Sequence, residues 1–333
     1  MRAAVIDRYG GPDVLHVSDV PAPQPGPDDL LIDVHAASVN PVDFKIREGK
    51  LKPVLKLSLP QIMGSDCSGV VRAVGSRVSR FKVGDEVYAR LEKLRMGGLA
   101  EQVALAEFTA ALKPKNLTHV EAASLPLVAL TASQALLQIG RLQKGQRALI
   151  HAGAGGVGSF AIQLAKNVGA QVFTTASARN HELVRSLGAD TPIDYATQKF
   201  EEVARDCDVV LDTQGGDTLL RSFGCVKKGG VLVSIGAVPD AITAEEMELG
   251  ALIKAGLWFM NRKVRALAKA RGITYRYLFM KPDGAELARL AGLVEQGALK
   301  PLVERTFPLE QVRDAFAAVE TGRTRGKIVV EVR

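Results

Sequence analysis

The chain has 333 residues, 47% hydrophobic and 24% charged, with a mean hydropathy of +0.09. At roughly 150 residues per domain this length suits two domains, and the composition excludes a disordered or fibrous chain. The net charge of +7 (43 Lys and Arg against 36 Asp and Glu) would admit a nucleic-acid binder. However, Arg262, Lys263, Arg265, Lys269, Arg271 and Arg276 form one basic segment with no acid in it. Such a segment reads as a solvated helix face, and no nucleic-acid partner is expected. No run reaches the roughly 20 apolar residues that span a bilayer. The best candidate, Gly250–Met260, is short and holds Lys254. Asp7 and Arg8 stand where a signal peptide would be apolar. Cys67, Cys207 and Cys225 lie far apart with no CxxC pair, so a reducing cytoplasm is expected rather than a disulfide framework or a cysteine zinc site.

In chain order, residues 1–125 read as mostly β. Short runs recur at Ala3–Ile6, Leu30–Val39, Ser68–Val74, Glu86–Arg90 and Ala100–Ala106, separated by turn signals such as Gly10-Gly11-Pro12 and Val83-Gly84-Asp85. The proline-rich run Pro21–Pro27 reads as a stiff connection between strands, with a polyproline ligand as the alternative. A helix over Val128–Ile139 opens a different region, 126–281. Strands are expected at Ala148–His151, Gln171–Thr175, Val209–Leu211, Val231–Ile235 and Ile273–Phe279. Helical patterns lie between them, as at Gly156–Val168 and Glu182–Leu187. Alternation of apolar strands with helices implies a parallel sheet covered on both faces. Residues 282–333 carry helical patterns at Gly284–Gln296 and Phe307–Val319, then a strand at Lys327–Val332 that must return to the N-terminal β region.

The strongest chemical motif is His151-Ala-Gly-Ala-Gly-Gly-Val-Gly158, which places GxGxxG at Gly153, Gly155 and Gly158. Alone the pattern is weak, but a strand precedes it and a helix comes after. The first glycine permits a tight turn, the second admits a pyrophosphate against the backbone, and the third allows close helix–strand packing. Phosphates then sit at the helix N-terminus, where unpaired N–H groups and the dipole favour an anion. A glycine turn with no ligand is the alternative. An NAD site wants an acid at the end of the second strand, for the ribose hydroxyls. Here the sequence runs Ala176-Ser177-Ala178-Arg179-Asn180, and no acid occurs before Glu182. Ser177 can donate to a 2′-phosphate and Arg179 can neutralise it, which favours NADPH. Capping of the next helix by Ser177 and Asn180 is a compatible second reading.

With these residues in view, the sequence resembles the zinc-independent medium-chain dehydrogenases/reductases, in particular the quinone oxidoreductase and enone reductase branch. The likeness runs along the whole chain, through Ser38–Lys45, Gly64–Val71, Val83–Val87, Leu125–Ala132, Ala152–Gly158, Ile193–Tyr195 and Gly326–Val330. It implies an α/β protein: a GroES-like catalytic β domain from residues 1–125 and 282–333, and a Rossmann domain with a doubly wound parallel sheet from 126–281. It further implies that Ser177 and Tyr195 hold the 2′-phosphate. Thr131, Gly155, Gly156 and Val157 would follow the nicotinamide ribose and pyrophosphate, and Thr213, Ile235, Gly236 and Phe279 would line the cofactor. Where zinc-dependent relatives carry Gly-His-Glu, this chain has Gly64-Ser65-Asp66, and Arg90–Leu99 holds no cysteine. No metal site is expected, since zinc needs three protein ligands.

Asn40-Pro41-Val42-Asp43 reads first as a helix start, with Asn40 as N-cap and Asp43 reaching back to it. The resemblance places this segment beside the nicotinamide. Asn40 would then orient substrate or cofactor, and Lys45 would stabilise an enolate oxygen unless it is simply an exposed helix residue. Asp66 reads as a turn-former, with a polar site residue as the alternative. Cys67 and His151 read as core residues. The function expected is NADPH-dependent reduction of a small quinone or α,β-unsaturated carbonyl by metal-free hydride transfer. The alternatives are an enoyl-thioester reductase on the same scaffold and a non-catalytic NADPH- or nucleic-acid-binding protein. A homodimer is expected through the apolar edge strand Ile273–Phe279.

Overall fold

The structure is a computed structural model and describes residues 1–55 and 57–333. In chain order its strands are β1 (Arg2–Ile6), β2 (Leu15–Asp19), β3 (Asp29–Val39), β4 (Gln61–Ile62), β5 (Asp66–Val74), β6 (Glu86–Arg90), β7 (Gln102–Ala106), β8 (Ala110–Leu112), β9 (Arg147–Ile150), β10 (Gln171–Ala176), β11 (Thr191–Asp194), β12 (Cys207–Asp212), β13 (Val226–Ser234), β14 (Thr274–Tyr277), β15 (Val303–Pro308) and β16 (Lys327–Glu331). The α-helices are α1 (Pro41–Arg47), α2 (His119–Ala123), α3 (Pro126–Ser133), α4 (Gly156–Val168), α5 (His181–Ser186), α6 (Phe200–Val203), α7 (Gly216–Ser222), α8 (Ala241–Glu246), α9 (Ala251–Met260), α10 (Arg262–Arg271), α11 (Gly284–Glu295) and α12 (Val312–Glu320). The chain forms two units, one from Met1–Leu130 with Lys281–Arg333 and one from Thr131–Met280.

The first unit is the β-rich one, expected to be GroES-like. Its larger sheet has the order β15-β16-β3-β5-β6-β8, with β7 also on β3. Leu30, Ile32 and Val34 alternate along β3 and meet Val71, Val87, Val103 and Leu105 in one apolar cluster, as a half-buried strand of period two requires. The strand expected at Lys327–Val332 is β16. It pairs antiparallel with β3, Ile328 opposite Val39 and Val330 opposite Ala37, so the C-terminal strand does return to the N-terminal sheet. One expected element is corrected. Phe307–Val319 is not a single helix, because Phe307 and Pro308 end β15 and the α-helix begins at Val312. Pro308 explains this, since the residue before a proline is pushed out of the helical region. The remainder keeps the helical pattern, burying Val312, Ala315, Phe316 and Val319.

The second unit is a six-stranded sheet of order β11-β10-β9-β12-β13-β14, and every pair in it is parallel. Numbered as the chain makes them, the strands run 3-2-1-4-5-6, the doubly wound order in which ligands bind beyond the carboxyl ends of the strands, where the winding reverses. That point lies between β9 and β12. The helix expected at Val128–Ile139 starts at Pro126 and widens into a π-helix over Gln134–Ile139. Most of the basic segment forms α10, whose Val264, Leu267 and Ala268 pack on the sheet while Arg262, Lys263, Lys269 and Arg271 are exposed. Arg276 departs from the expected helix face, lying half-buried on β14 and paired with Asp240 and Glu246.

Candidate active site

In the second unit, each strand of the sheet delivers a proposed cofactor residue just past its carboxyl end. Ser177 follows β10, Tyr195 follows β11, Thr213 follows β12, Ile235 and Gly236 follow β13, and Phe279 comes after β14. Thr131 lies buried on α3. Between β9 and α4 runs the glycine loop. A Cβ at Gly153 would stand 2.1 Å from Thr174 Oγ1, and one at Gly158 would stand 2.2 Å from the Ala152 carbonyl oxygen. Both positions therefore exclude any side chain, because strand and helix meet there. Gly155 differs. Its φ is −79°, and an added Cβ would only touch the Ala152 oxygen at 3.4 Å. The protein does not need glycine at 155 for its own packing, which leaves the backbone there open to a close approach. The Ser159 N–H bonds the Gly155 carbonyl at 2.8 Å, which leaves Gly156, Val157 and Gly158 as the three N–H groups of the first turn without helical acceptors. The loop fits a dinucleotide pyrophosphate.

The ends of the paired strands β10 and β11 hold the other polar cluster. Asn180 Nδ2 donates to Ser177 Oγ at 3.2 Å, and Asn180 Oδ1 is buried without a partner. Neither Ser177 nor Asn180 caps a helix with its side chain, which corrects the capping expectation. Arg179 is exposed and makes no ion pair among the described residues. Tyr195 is exposed as well. The nearby acid Asp194 is tied to its own turn, accepting from Ala196 N at 3.1 Å and Thr197 Oγ1 at 3.1 Å. Asp212, which the sequence did not single out, shapes the loop after β12. It accepts from Gln214 N and Gly215 N, each at 3.0 Å, and from Ser234 Oγ at 2.6 Å. His151 is a core residue, as expected. It bonds Thr175 at 3.1 Å and Ser222 at 2.9 Å, and burial lowers its pKa to about 4.

In the first unit, a buried polar network surrounds Asn40. Asp66 opens β5 and is the hub, so it is no turn-former. Its Oδ2 accepts from Ser38 Oγ at 2.7 Å and from Asn40 Nδ2 at 2.9 Å, and its Oδ1 accepts from Leu127 N at 3.1 Å. Asp43 takes the Asn40 N–H at 2.8 Å and the Ser65 hydroxyl at 2.6 Å. Asn40 is thus the N-cap of α1 with the Asp43 reach-back present, and its amide is also drawn into the network. Lys327 Nζ donates to Asn40 Oδ1 and to the Val39 carbonyl, the latter at 3.3 Å, and lies 3.8 Å from Asp66. Arg90 donates to the Ser65 carbonyl at 3.2 Å. Two carboxyls and two cations are thus gathered in one buried place, which offsets their desolvation. Burial raises the Asp43 pKa and lowers those of Arg90 and Lys327. Sequence reasoning did not single out Lys327 or Arg90. The available signal was a charged residue at the start or end of an otherwise apolar strand, which must find an opposite charge. Lys45 sits apart from this network, exposed on α1 with no side-chain hydrogen bond or ion pair among the described residues. Cys67 packs in the core and burial pushes its thiol up. Among the described residues no group of three or more His, Cys, Asp or Glu can hold a metal ion.

A GroES-like unit together with a doubly wound sheet and a glycine cradle defines an oxidoreductase of the dinucleotide-dependent dehydrogenase class. Comparison with known proteins agrees. Residues 26–115 match the alcohol dehydrogenase GroES-like domain and residues 187–330 match a domain described as zinc-binding dehydrogenase. The chain is 38% identical to the mitochondrial NAD(P)H oxidoreductase RTN4IP1 of Mus musculus, over 100% of this chain and 89% of that protein. It is 38% identical to the chloroplastic NADPH-dependent alkenal/one oxidoreductase of Arabidopsis thaliana, over 99% of this chain and 79% of that protein. The quinone oxidoreductase structure from Coxiella burnetii superposes with a TM-score of 0.85 at 37% identity, covering 100% of this chain and 99% of that one. The chain belongs to the medium-chain dehydrogenase/reductase family, in its quinone oxidoreductase and enone reductase branch.

Proposed function

We propose that this chain is an NADPH-dependent reductase of quinones or α,β-unsaturated carbonyls that works without a metal. The observation that carries the reading is the second unit's pair of anion sites, the glycine cradle and the Ser177–Arg179–Asn180–Tyr195 cluster. NADPH, when bound, supplies a hydride from its nicotinamide. The first-turn N–H groups of Gly156, Val157 and Gly158 hold the pyrophosphate. Ser177 and Tyr195 give hydroxyl donors to the 2′-phosphate, Asn180 adds an amide, and Arg179 adds charge. Thr131, Thr213, Ile235, Gly236 and Phe279 line the rest. Negative charge develops on the acceptor's carbonyl oxygen, and in a metal-free site donors or a cation must stabilise it. Lys45, exposed and unpaired, takes that role. Asn40, buried and bonded at both ends of its amide, is a positioning residue that fixes the start of the helix carrying Lys45. Ser65, where zinc-dependent relatives carry a histidine, gives its hydroxyl to Asp43.

The test is a panel of quinones, enals, enones and an enoyl-CoA ester, with NADPH oxidation followed optically and with chelator added. Turnover of free quinones or enones, unchanged by chelator and without stoichiometric zinc, is the expected result. Turnover of the thioester alone would assign a thioester reductase, and no oxidation with any acceptor would leave only a binding protein. The protein's three cysteines are free and buried, which supports a reducing compartment, and the cytoplasm is the proposed one. Among the described residues no helix is long and apolar enough to cross a membrane.

A further inference from the structure

The helix α9, Ala251–Met260, has the sequence ALIKAGLWFM, yet none of its ten residues is buried. Leu252 is 90% exposed and Trp258 55%, with Phe259 and Met260 similarly open. A Cβ added at Gly256 would meet nothing within 4 Å. A soluble monomer rarely leaves such a contiguous apolar face uncovered. The neighbouring helix α10 is equally one-sided, in charge. From Leu249 to Pro282 the sequence has no acid. Lys254 and Arg276 are paired, with Glu245 and with Asp240 and Glu246. The α10 cations Arg262, Lys263, Arg265, Lys269 and Arg271 make no ion pair among the described residues. Arg262 and Arg265 lie over the rings of Phe259 and Trp258, at 4.1 and 4.0 Å, so positive charge borders the apolar face directly.

From this juxtaposition we infer that α9 and α10 form a docking surface for an anionic lipid bilayer. At 1.5 Å per residue α9 is about 15 Å long, too short to span a membrane and suited to lie in its interface. Apolar and aromatic side chains enter the headgroup–acyl boundary, and the flanking cations meet anionic headgroups. Trp258 is suited to headgroup depth, where aromatic residues concentrate. A second copy of this chain fits the surface less well, since a two-fold contact would bring the unpaired α10 cations of both copies to one interface.

Trp258 is the chain's single tryptophan, so its fluorescence reports on this surface alone. The experiment mixes the full chain with vesicles of phosphatidylcholine, with and without about one-third phosphatidylglycerol, and reads emission and co-flotation. The expected result is a blue shift and co-flotation with the anionic vesicles, weakening as salt rises. Lys263→Gln with Lys269→Gln should weaken partitioning roughly 25-fold, at about five-fold per cation. Leu252→Asp with Phe259→Asp should abolish it, and thermal unfolding should show both variants folded. No shift with anionic vesicles, equal binding to neutral ones, or full binding by the double glutamine variant would each overturn the proposal. A blue shift that grows with protein concentration in the absence of lipid would assign the face to a second copy and overturn it as well.

Discussion

Ser177 and Arg179 carry the proposed choice of cofactor. A charge-assisted hydrogen bond is worth roughly 1.5–3 kcal/mol, reduced here by solvent exposure. Ser177→Asp should cost NADPH binding by like-charge repulsion and improve NADH through its ribose hydroxyls, read as kcat/KM for both cofactors. Arg179→Ala should hurt NADPH alone, and less so at high salt. Equal use of both cofactors by the wild type would misplace the phosphate site. Lys327 poses a different question, one of stability. Lys327→Met removes a buried cation beside Asp66, and breaking a buried pair in this way costs about 3–5 kcal/mol. Adding Asp66→Asn should recover part of that loss in urea unfolding, because the stranded carboxylate is gone. These two residues also mark what a sequence can reveal. The lack of an acid after β10 is legible because it lies within one local motif. The Lys327–Asn40 contact spans 287 positions, and no local pattern announces it.

At the scale of elements, the glycine loop separates folding from binding. Gly158→Ala should destabilise the protein strongly, as its Cβ has no room beside the Ala152 carbonyl. Gly155→Ala should leave the unfolding midpoint nearly unchanged and weaken NADPH binding at least ten-fold, measured by titration. Equal loss of stability in both variants would refute the cradle assignment. The strand β9 before the loop leads into His151, whose folded pKa of about 4 lies below the ordinary histidine value of 6.5. The unfolded chain therefore takes a proton that the folded chain refuses. Stability from this group is complete above about pH 6.5 and falls as pH drops toward 4, by up to about 3 kcal/mol. His151→Gln should show a shallower loss than the wild type between pH 7 and pH 4.5. The long elements of the second unit were legible because their apolar runs and the glycine motif are local. Short strands such as β4 and β8 were not, having two or three residues and no period to read. Pro308 was visible, but the helical spacing beyond it masked the strand that it ends.

At the scale of the whole molecule, β14, shorter than expected and reading Thr-Tyr-Arg-Tyr, is the edge of its sheet, and an open hydrogen-bonding edge invites a partner. A homodimer through β14 is the proposed assembly. Arg276, which would otherwise repel its symmetry mate, faces Asp240 at 3.5 Å and Glu246 at 3.7 Å. Sedimentation should give twice the chain mass, and Tyr275→Pro should reduce it to one; a monomer at every concentration would refute this assembly. The position of β16 has another consequence, one of timing. It lies between β15 and β3 within the sheet of the first unit, and it brings the cation that balances Asp66. On the ribosome, β3 and β5 emerge long before it. The interval from β8 to β16 takes about 10–40 s at 5–20 residues per second. Through that interval the Ala36–Val39 end of β3 has an open edge and Asp66 on β5 awaits its counterion, while the second unit gains its last strand at Tyr277. The nascent first unit is therefore the part that needs a chaperone's protection, and its sheet can close only after the other unit has been made.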